Sequence, residues 1–280
     1  MAGVALGWHG GGRRAKLERD LRKGVCYRGR APHGQLPIMA SDSNLPSKKA
    51  SRSEVDSFLR QVATTPPPRV APGQRGRLLF AMDATASRQS SWDQASQIQG
   101  EMFSQTAALG GLEIQLAFYR GFGEFKVSPW TTDSNDFLRR MSSVFCLAGE
   151  TQIGKVLHHA VNESKKDKAL NALVFVGDAL EEDIDALGAV AGELGLLGVP
   201  VFMFHEGADP VAAFGFKQVA KLTGGAYCRF DASSGQVLRD LLGAVAVFAA
   251  GGRRALEDLA KKRGGEVLSI AHQVSKAKKA

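Results

Sequence analysis

From Arg77 onwards the chain alternates short, unbroken apolar runs with longer stretches whose apolar residues recur every three or four positions. Leu78 to Met82 is too continuously apolar for a half-exposed strand and predicts one buried on both faces, ending at Asp83. Trp92, Ala95, Ile98, Met102, Phe103 and Leu109 then form a helical stripe. Leu112 to Tyr119 predicts a strand, Gly121 to Gly123 a turn, and Glu124 to Val127 a short hairpin partner. Helices are expected around Asp136 to Val144 and along Ile153, Val156, Leu157, Ala160 and Val161. Leu173 to Val176 is another buried strand, closed by Gly177 and Asp178. The remainder reads as a helix on Ile184, Leu187, Val190, Ala191, Leu194 and Leu197, a strand Val199 to Phe204, a helix Val211 to Leu222, a strand Ala226 to Phe230 and a helix Gln236 to Ala249. Strands alternating with helices imply a mainly parallel sheet covered on both faces, a three-layer α/β architecture.

Outside residues 77–250 the pattern changes. Residues 1–50 are rich in Gly, Arg, Ser, Pro and Lys without a sustained apolar period, which predicts disorder. Met39 opens a polar, Ser-rich stretch and is a candidate initiator. Within 51–76, Ser53 can cap a short helix carrying Val55, Phe58, Leu59 and Val62 on one face, followed by a Pro/Gly linker. About three turns are marginal alone, so that helix is expected to dock, on the domain or on a partner. Residues 251–280 form a basic C-terminal tail.

The 280 residues carry a formal net charge of +8, which invites a nucleic-acid reading until it is resolved by position. Residues 1–79 hold +10, residues 80–250 hold −7 and residues 251–280 hold +5. The centre is acidic, so contact with nucleic acid is expected only through the basic ends. The longest apolar stretch, Leu241 to Ala250, falls short of the roughly 20 residues of a bilayer span, and Met1 to Gly10 lacks a preceding basic region, so neither a membrane span nor a signal peptide is expected. Cys26, Cys146 and Cys228 are odd in number and widely spaced, which argues against a disulfide framework or zinc site and for a reducing, cytoplasmic setting.

In open α/β sheets ligands bind beyond the carboxyl ends of strands, so the residues directly after strands carry the candidate chemistry. Asp83, Thr85 and Ser87 place three oxygen-bearing side chains at alternating positions just past a buried strand, the donor type that hard cations take. A local alternative has Asp83 capping the next helix and the hydroxyls making turn bonds. Gly149-Glu150-Thr151 adds a hydroxyl before a helix and Asp178 a second carboxylate at a strand end. The set resembles the von Willebrand factor A (VWA) family and its metal-ion-dependent adhesion site (MIDAS), whose signature is Asp-x-Ser-x-Ser, a Thr in a Gly-[Gly/Glu]-Thr-x-x-Gly-x-x-Leu context, and an Asp after the fourth strand. Here these read Asp83-x-Thr85-x-Ser87, Gly149-Glu150-Thr151-Gln152-Ile153-Gly154-Lys155-Val156-Leu157 and Gly177-Asp178. Thr85 stands for the usual Ser, and Ala179 where Gly is frequent.

The resemblance, over residues 77–250, implies a Rossmann-like VWA fold whose six-stranded, mainly parallel sheet has one antiparallel edge strand. It implies a magnesium or manganese site in which Thr85, Ser87 and Thr151 supply hydroxyl ligands while Asp83 and Asp178 act through water or by holding the hydroxyls. It implies further a non-enzymatic module that meets an acidic residue of a protein partner, in assemblies such as AAA+ or chelatase-like ones. The acidic run Glu181, Glu182, Asp183 and Asp185 suits a helix N-terminus, with an auxiliary cation contact as the other reading.

Two enzyme readings compete. Gly149 to Val156 is a near miss to a P-loop, with Val144 to Leu147 as the preceding strand and Asp178 as a Walker-B acid, but no Ser or Thr follows Lys155. In a haloacid-dehalogenase-like phosphotransferase Asp83 would be the nucleophile, although Thr85 replaces the usual second Asp and a helix begins near Ser91. No nucleophile, base and orienting trio is evident, and His9, His33, His158, His159, His205 and His272 suit surface or packing roles.

Overall fold

A computed structural model of the chain describes residues 52–65, 74–231 and 235–263. The expected disorder of residues 1–50, Met39, most of the Pro-rich linker, the Ser53 side chain and the tail beyond 263 lie outside the described residues. The described strands are β1 (Gly76–Asp83), β2 (Leu112–Arg120), β3 (Glu124–Val127), β4 (Ala172–Gly177), β5 (Val201–Glu206) and β6 (Ala226–Phe230). They form one sheet in the order β3-β2-β1-β4-β5-β6, in which β3 runs antiparallel to β2 and the other pairings are parallel.

The helices are α1 (Arg52–Thr64), α2 (Gln89–Thr106), α3 (Ser134–Ser142), α4 (Ile153–Ser164), α5 (Ile184–Leu196), α6 (Pro210–Leu222) and α7 (Gly235–Arg263). Alternation along β1 divides them into two layers, because successive side chains leave a strand on opposite faces. Leu78, Phe80 and Met82 join the core with Trp92 of α2, Phe137 of α3 and Val245 of α7, whereas Leu79 and Ala81 join Val156 of α4, Leu187 of α5 and Phe216 of α6. Phe58 of α1 packs edge-on to Phe202 and Phe204 of β5, so this short helix gains its stability by docking on the sheet.

Several boundaries differ from the sequence reading, and in three elements the local reason is plain. Val199 was expected in β5, but its N–H bonds to Leu194 O at 3.0 Å and closes α5; the strand runs later, to Glu206. Asp133 accepts a 2.7 Å bond from Asp136 N and starts α3 earlier than the apolar pattern suggested. Helix α7 continues beyond Ala249 to Arg263 across a break at Gly252, whose φ of 67° and ψ of −164° suit a residue without Cβ.

Chain winding fixes where a site can form. After β1 the chain moves outward to β2 and β3, then returns to the other flank of β1 with β4 and continues to β5 and β6. The winding reverses between β1 and β4, and Asp83 and Asp178 stand at the carboxyl ends of those two strands.

Candidate functional site

Three loops are fastened together at this reversal. Leu147 N donates to Ala84 O at 3.0 Å, joining the segment before α4 to the loop after β1. Ser87 donates its hydroxyl to Asp178 Oδ2 at 2.7 Å, joining the loops after β1 and β4, and Thr85 Oγ1 lies 3.5 Å from Ser87 Oγ. Thr151 N bonds to Glu181 Oε2 at 2.9 Å while Glu181 N bonds back to Thr151 Oγ1 at 3.0 Å, joining the start of α4 to the loop after β4. That bond takes one lone pair of the Thr151 hydroxyl and leaves the other. Ser87 and Asp178 are thus brought into direct contact with Thr85 alongside, and Thr151 is held by Glu181.

Asp83 lies beneath them, fully buried. Its Oδ1 accepts from Thr85 N at 2.7 Å, an Asx-type turn and not the helix cap of the local alternative, and Oδ2 is buried without a hydrogen-bond partner. Burial pushes the carboxyl up to about 6; the Thr85 hydrogen bonds and the Arg88 charge pull downward, and the Asp178 charge adds to the rise. The Tyr119 hydroxyl is likewise buried and outside hydrogen-bond geometry, and burial, then the neighbouring Asp83 charge, drive its ionisation well above the usual range. An orphaned carboxylate oxygen beside a set of hard oxygen donors fits a cation better than a closed structural turn would. Among the described residues no three His, Cys, Asp or Glu side chains converge on one point, so a cation held here would depend on hydroxyls as well as carboxylates.

The acidic run after Asp178 divides its labour across two helices. Asp183 caps α5 through Ala186 N at 2.7 Å, as its place in the sequence suggests. Glu181 and Glu182 instead serve α4: Glu182 accepts from Ile153 N and, at 2.8 Å, from Gly154 N. The N-terminus of α4, where a P-loop would take phosphate, is already filled by the chain's own carboxylates. Val144 to Leu147 is not a strand, and Lys155 donates to Gly123 O at 2.9 Å and Gln152 Oε1 at 2.8 Å.

Sequence reasoning passed over a second group around Arg88. This arginine is 1% exposed, with Nη1 3.6 Å from Asp178 Oδ2 and Nη2 bonded to Glu206 Oε2, which the buried Ser91 hydroxyl also meets. A charged residue directly after Ser87 was visible in the sequence. Its partner was not, because Glu206 lay beyond the expected end of β5.

Around the site, Phe122 in the β2–β3 turn is 83% exposed and Phe145 70% exposed. Arg120 ties their loops by donating to Phe145 O at 2.7 Å, and Glu150 N meets Gly121 O at 3.3 Å. Of the histidines, His159 bonds to Gln115 Oε1 at 2.8 Å and His205 to the Tyr227 hydroxyl at 2.9 Å, with burial lowering the proton affinity of both. His158 is exposed; His9, His33 and His272 lie outside the described residues.

No family model matches the chain, and no curated protein matches it. Solved structures do. The VWA domain of SpRpn10 is 15% identical with a TM-score of 0.49, over 64% of this chain and 98% of that one. The conserved hypothetical protein BatB from Bacteroides thetaiotaomicron is 16% identical with a TM-score of 0.46, over 61% and 98%. A mutant of the PilB minor pilin from Streptococcus sanguinis is 10% identical with a TM-score of 0.50, over 70% of this chain and 65% of that one. At such identities a likeness concerns the chain path alone, and the sheet order with its antiparallel edge strand agrees with it. The fold is VWA-like. In this VWA-like fold the loops after β1 and β4 and the segment before α4 are the three that carry the motif residues.

Proposed function

We propose that this chain is a non-catalytic protein-interaction module that holds a divalent cation, magnesium or manganese, at a MIDAS-like site. The observation that carries the reading is the Ser87, Thr85 and Asp178 cluster above the unpartnered Oδ2 of Asp83. Thr85, Ser87 and Thr151 would offer hydroxyl oxygens to the cation, while Asp83 and Asp178 would hold the hydroxyls and supply negative charge. When bound, such a cation supplies an electrophilic position for one further oxygen ligand. An acidic side chain of a partner protein fits that position.

The chain's own residues prepare the surface for such a partner. The Ser87 bond to Asp178 fixes the relative position of two loops, and the Thr151 to Glu181 pair fixes the third. Phe122 and Phe145, exposed on loops tied by Arg120, offer apolar contact beside the polar centre, as protein interfaces do. No helix among the described residues is long and apolar enough to cross a membrane, and Cys146 and Cys228 are free thiols, which supports a cytoplasmic setting.

Calorimetry tests the cation directly: wild type should bind magnesium or manganese and Asp83→Ala should not, and equal binding by both would overturn the reading. A pull-down with and without magnesium should recover a partner only for wild type with the cation. Phosphatase and ATPase assays should show no turnover. Turnover abolished by Asp83→Asn would instead establish a phosphotransferase, and turnover abolished by Lys155→Ala a P-loop enzyme.

A further inference from the structure

We infer that Arg88 is a built-in counter-cation that sets how tightly the site holds a divalent ion. This rests on the cation reading above. The geometry is specific: Arg88 Nη1 stands 3.6 Å from Asp178 Oδ2, the same oxygen that accepts the Ser87 hydroxyl. One carboxylate oxygen therefore serves a hydroxyl at the centre of the cluster and a guanidinium behind it. Arg88 is 1% exposed, so water and salt screen its charge far less than they would at the surface. A divalent ion approaching Thr85, Ser87 and Asp178 meets a fixed positive charge of its own sign.

Glu206 determines how much of that charge the site feels. It bonds Arg88 Nη2 from the far side and is held in turn by the Ser91 hydroxyl. Arg88 is thus shared between Glu206, which anchors and partly neutralises it, and Asp178, which it partly neutralises. The arrangement offsets the repulsion between Asp83 and Asp178, at the expense of affinity for a divalent ion. Guanidinium charge persists at every pH a protein survives, so the arginine's own contribution is constant.

Charge and structure predict opposite patterns for substitutions on either side of the guanidinium. Arg88→Gln removes the positive charge and can still donate to Glu206; manganese affinity, measured by calorimetry on the full chain, should rise about ten-fold. Arg88→Lys keeps the charge and should stay within about two-fold of wild type. Glu206→Gln keeps an acceptor for Arg88 but releases its charge toward Asp178, so affinity should fall about five-fold. A merely structural role would weaken binding in all three.

Thermal melts identify which variants are folded. A folded Arg88→Gln with unchanged or weaker affinity overturns the inference. Should Arg88→Gln fail to fold, Glu206→Gln decides, and an unchanged or tighter affinity overturns it. Manganese binding to wild type without these shifts removes this inference alone. Absence of binding to wild type and every variant removes it together with the reading on which it rests.

Discussion

Arg77 and Asp83 lie near opposite ends of β1, the strand between β2 and β4, and both are buried, yet their surroundings differ in kind. Around Arg77 the charge faces opposite charges, although Nε itself is outside hydrogen-bond geometry. Its guanidinium stacks 3.8 Å over the Trp130 ring, donates to Lys168 O, and lies 3.5 Å from Glu113 and 3.6 Å from Glu163. Its backbone N–H goes to Asn171 Oδ1 at 2.6 Å. Around Asp83 one oxygen is bonded and the other has no partner in hydrogen-bond geometry, with the Tyr119 hydroxyl beside the carboxylate and a second carboxylate close enough to raise its proton affinity. The amino end of the strand sets its charge among opposite charges and an aromatic face; the carboxyl end sets two like charges near each other. Unmatched buried charge costs stability, and its persistence at a topological switch point is what a binding site requires.

The largest effect that tests this contrast is expected at Arg77. Arg77→Ala removes the Trp130 stack, the bond to Lys168 O and one of the charges beside the buried Glu163, which keeps Lys166 and Trp130, and should destabilise the protein by about 3 kcal/mol, read from urea unfolding at pH 7. A loss below about 1 kcal/mol would mean that the amino end is no better matched than the other.

Asp83 should behave in the opposite sense. Its folded carboxyl is pushed up to about 6 from the ordinary 3.8. A raised carboxyl binds protons more tightly when folded, so its contribution is favourable below about pH 4 and is lost as pH rises through 6. In metal-free protein Asp83→Asn should therefore be more stable than wild type at pH 7, by about 3 kcal/mol, and nearly equal to it at pH 4. Unfolding midpoints in a chelator across that range give the difference directly. Saturating magnesium should narrow the gap at pH 7, because only wild type gains from the ion.

Gly149 tests whether the loops around Asp83 must be held as they are. A Cβ there would fall 2.2 Å from Gly121 O, a backbone atom with no rotamer to move. Gly149→Ala should cost about 1 to 3 kcal/mol and weaken cation binding, since the displaced segment leads into Thr151. Unchanged unfolding and unchanged calorimetry would show that this close approach is incidental.

How far the sequence revealed these features depended on the range of the interactions. Buried runs such as Leu78 to Met82 and helical stripes such as that from Trp92 are written in local periodicity, and β3 and β6 appear at their expected limits. Asp83, Thr85, Ser87 and Asp178 were legible because they follow strands directly. The division of Glu181 and Glu182 to α4 and of Asp183 to α5 was not, since macrodipole reasoning assigns an acidic run to the helix it precedes. Arg88 and Glu206 pair across 118 residues of sequence, a relation that spacing does not record. Nor did spacing show that Asp83 Oδ2 would be left unpaired, because an orphaned atom is a property of the assembled packing.

The smallest expected effect on stability lies at Phe122, and it separates folding from recognition at the carboxyl end. Phe122 is 83% exposed in a turn whose glycines, Gly121 and Gly123, take φ of 58° and 107°. Phe122→Ser therefore removes little buried area and should shift unfolding by no more than about 0.5 kcal/mol. Cation binding should stay at the wild-type level, since the side chain contributes no oxygen to the Ser87 and Asp178 cluster. Recovery of a partner in the magnesium-dependent pull-down should nevertheless fall, because the apolar surface beside the cation is reduced. Full recovery with Phe122→Ser would confine recognition to the polar centre, whereas a large loss of stability would place Phe122 in the fold's own packing.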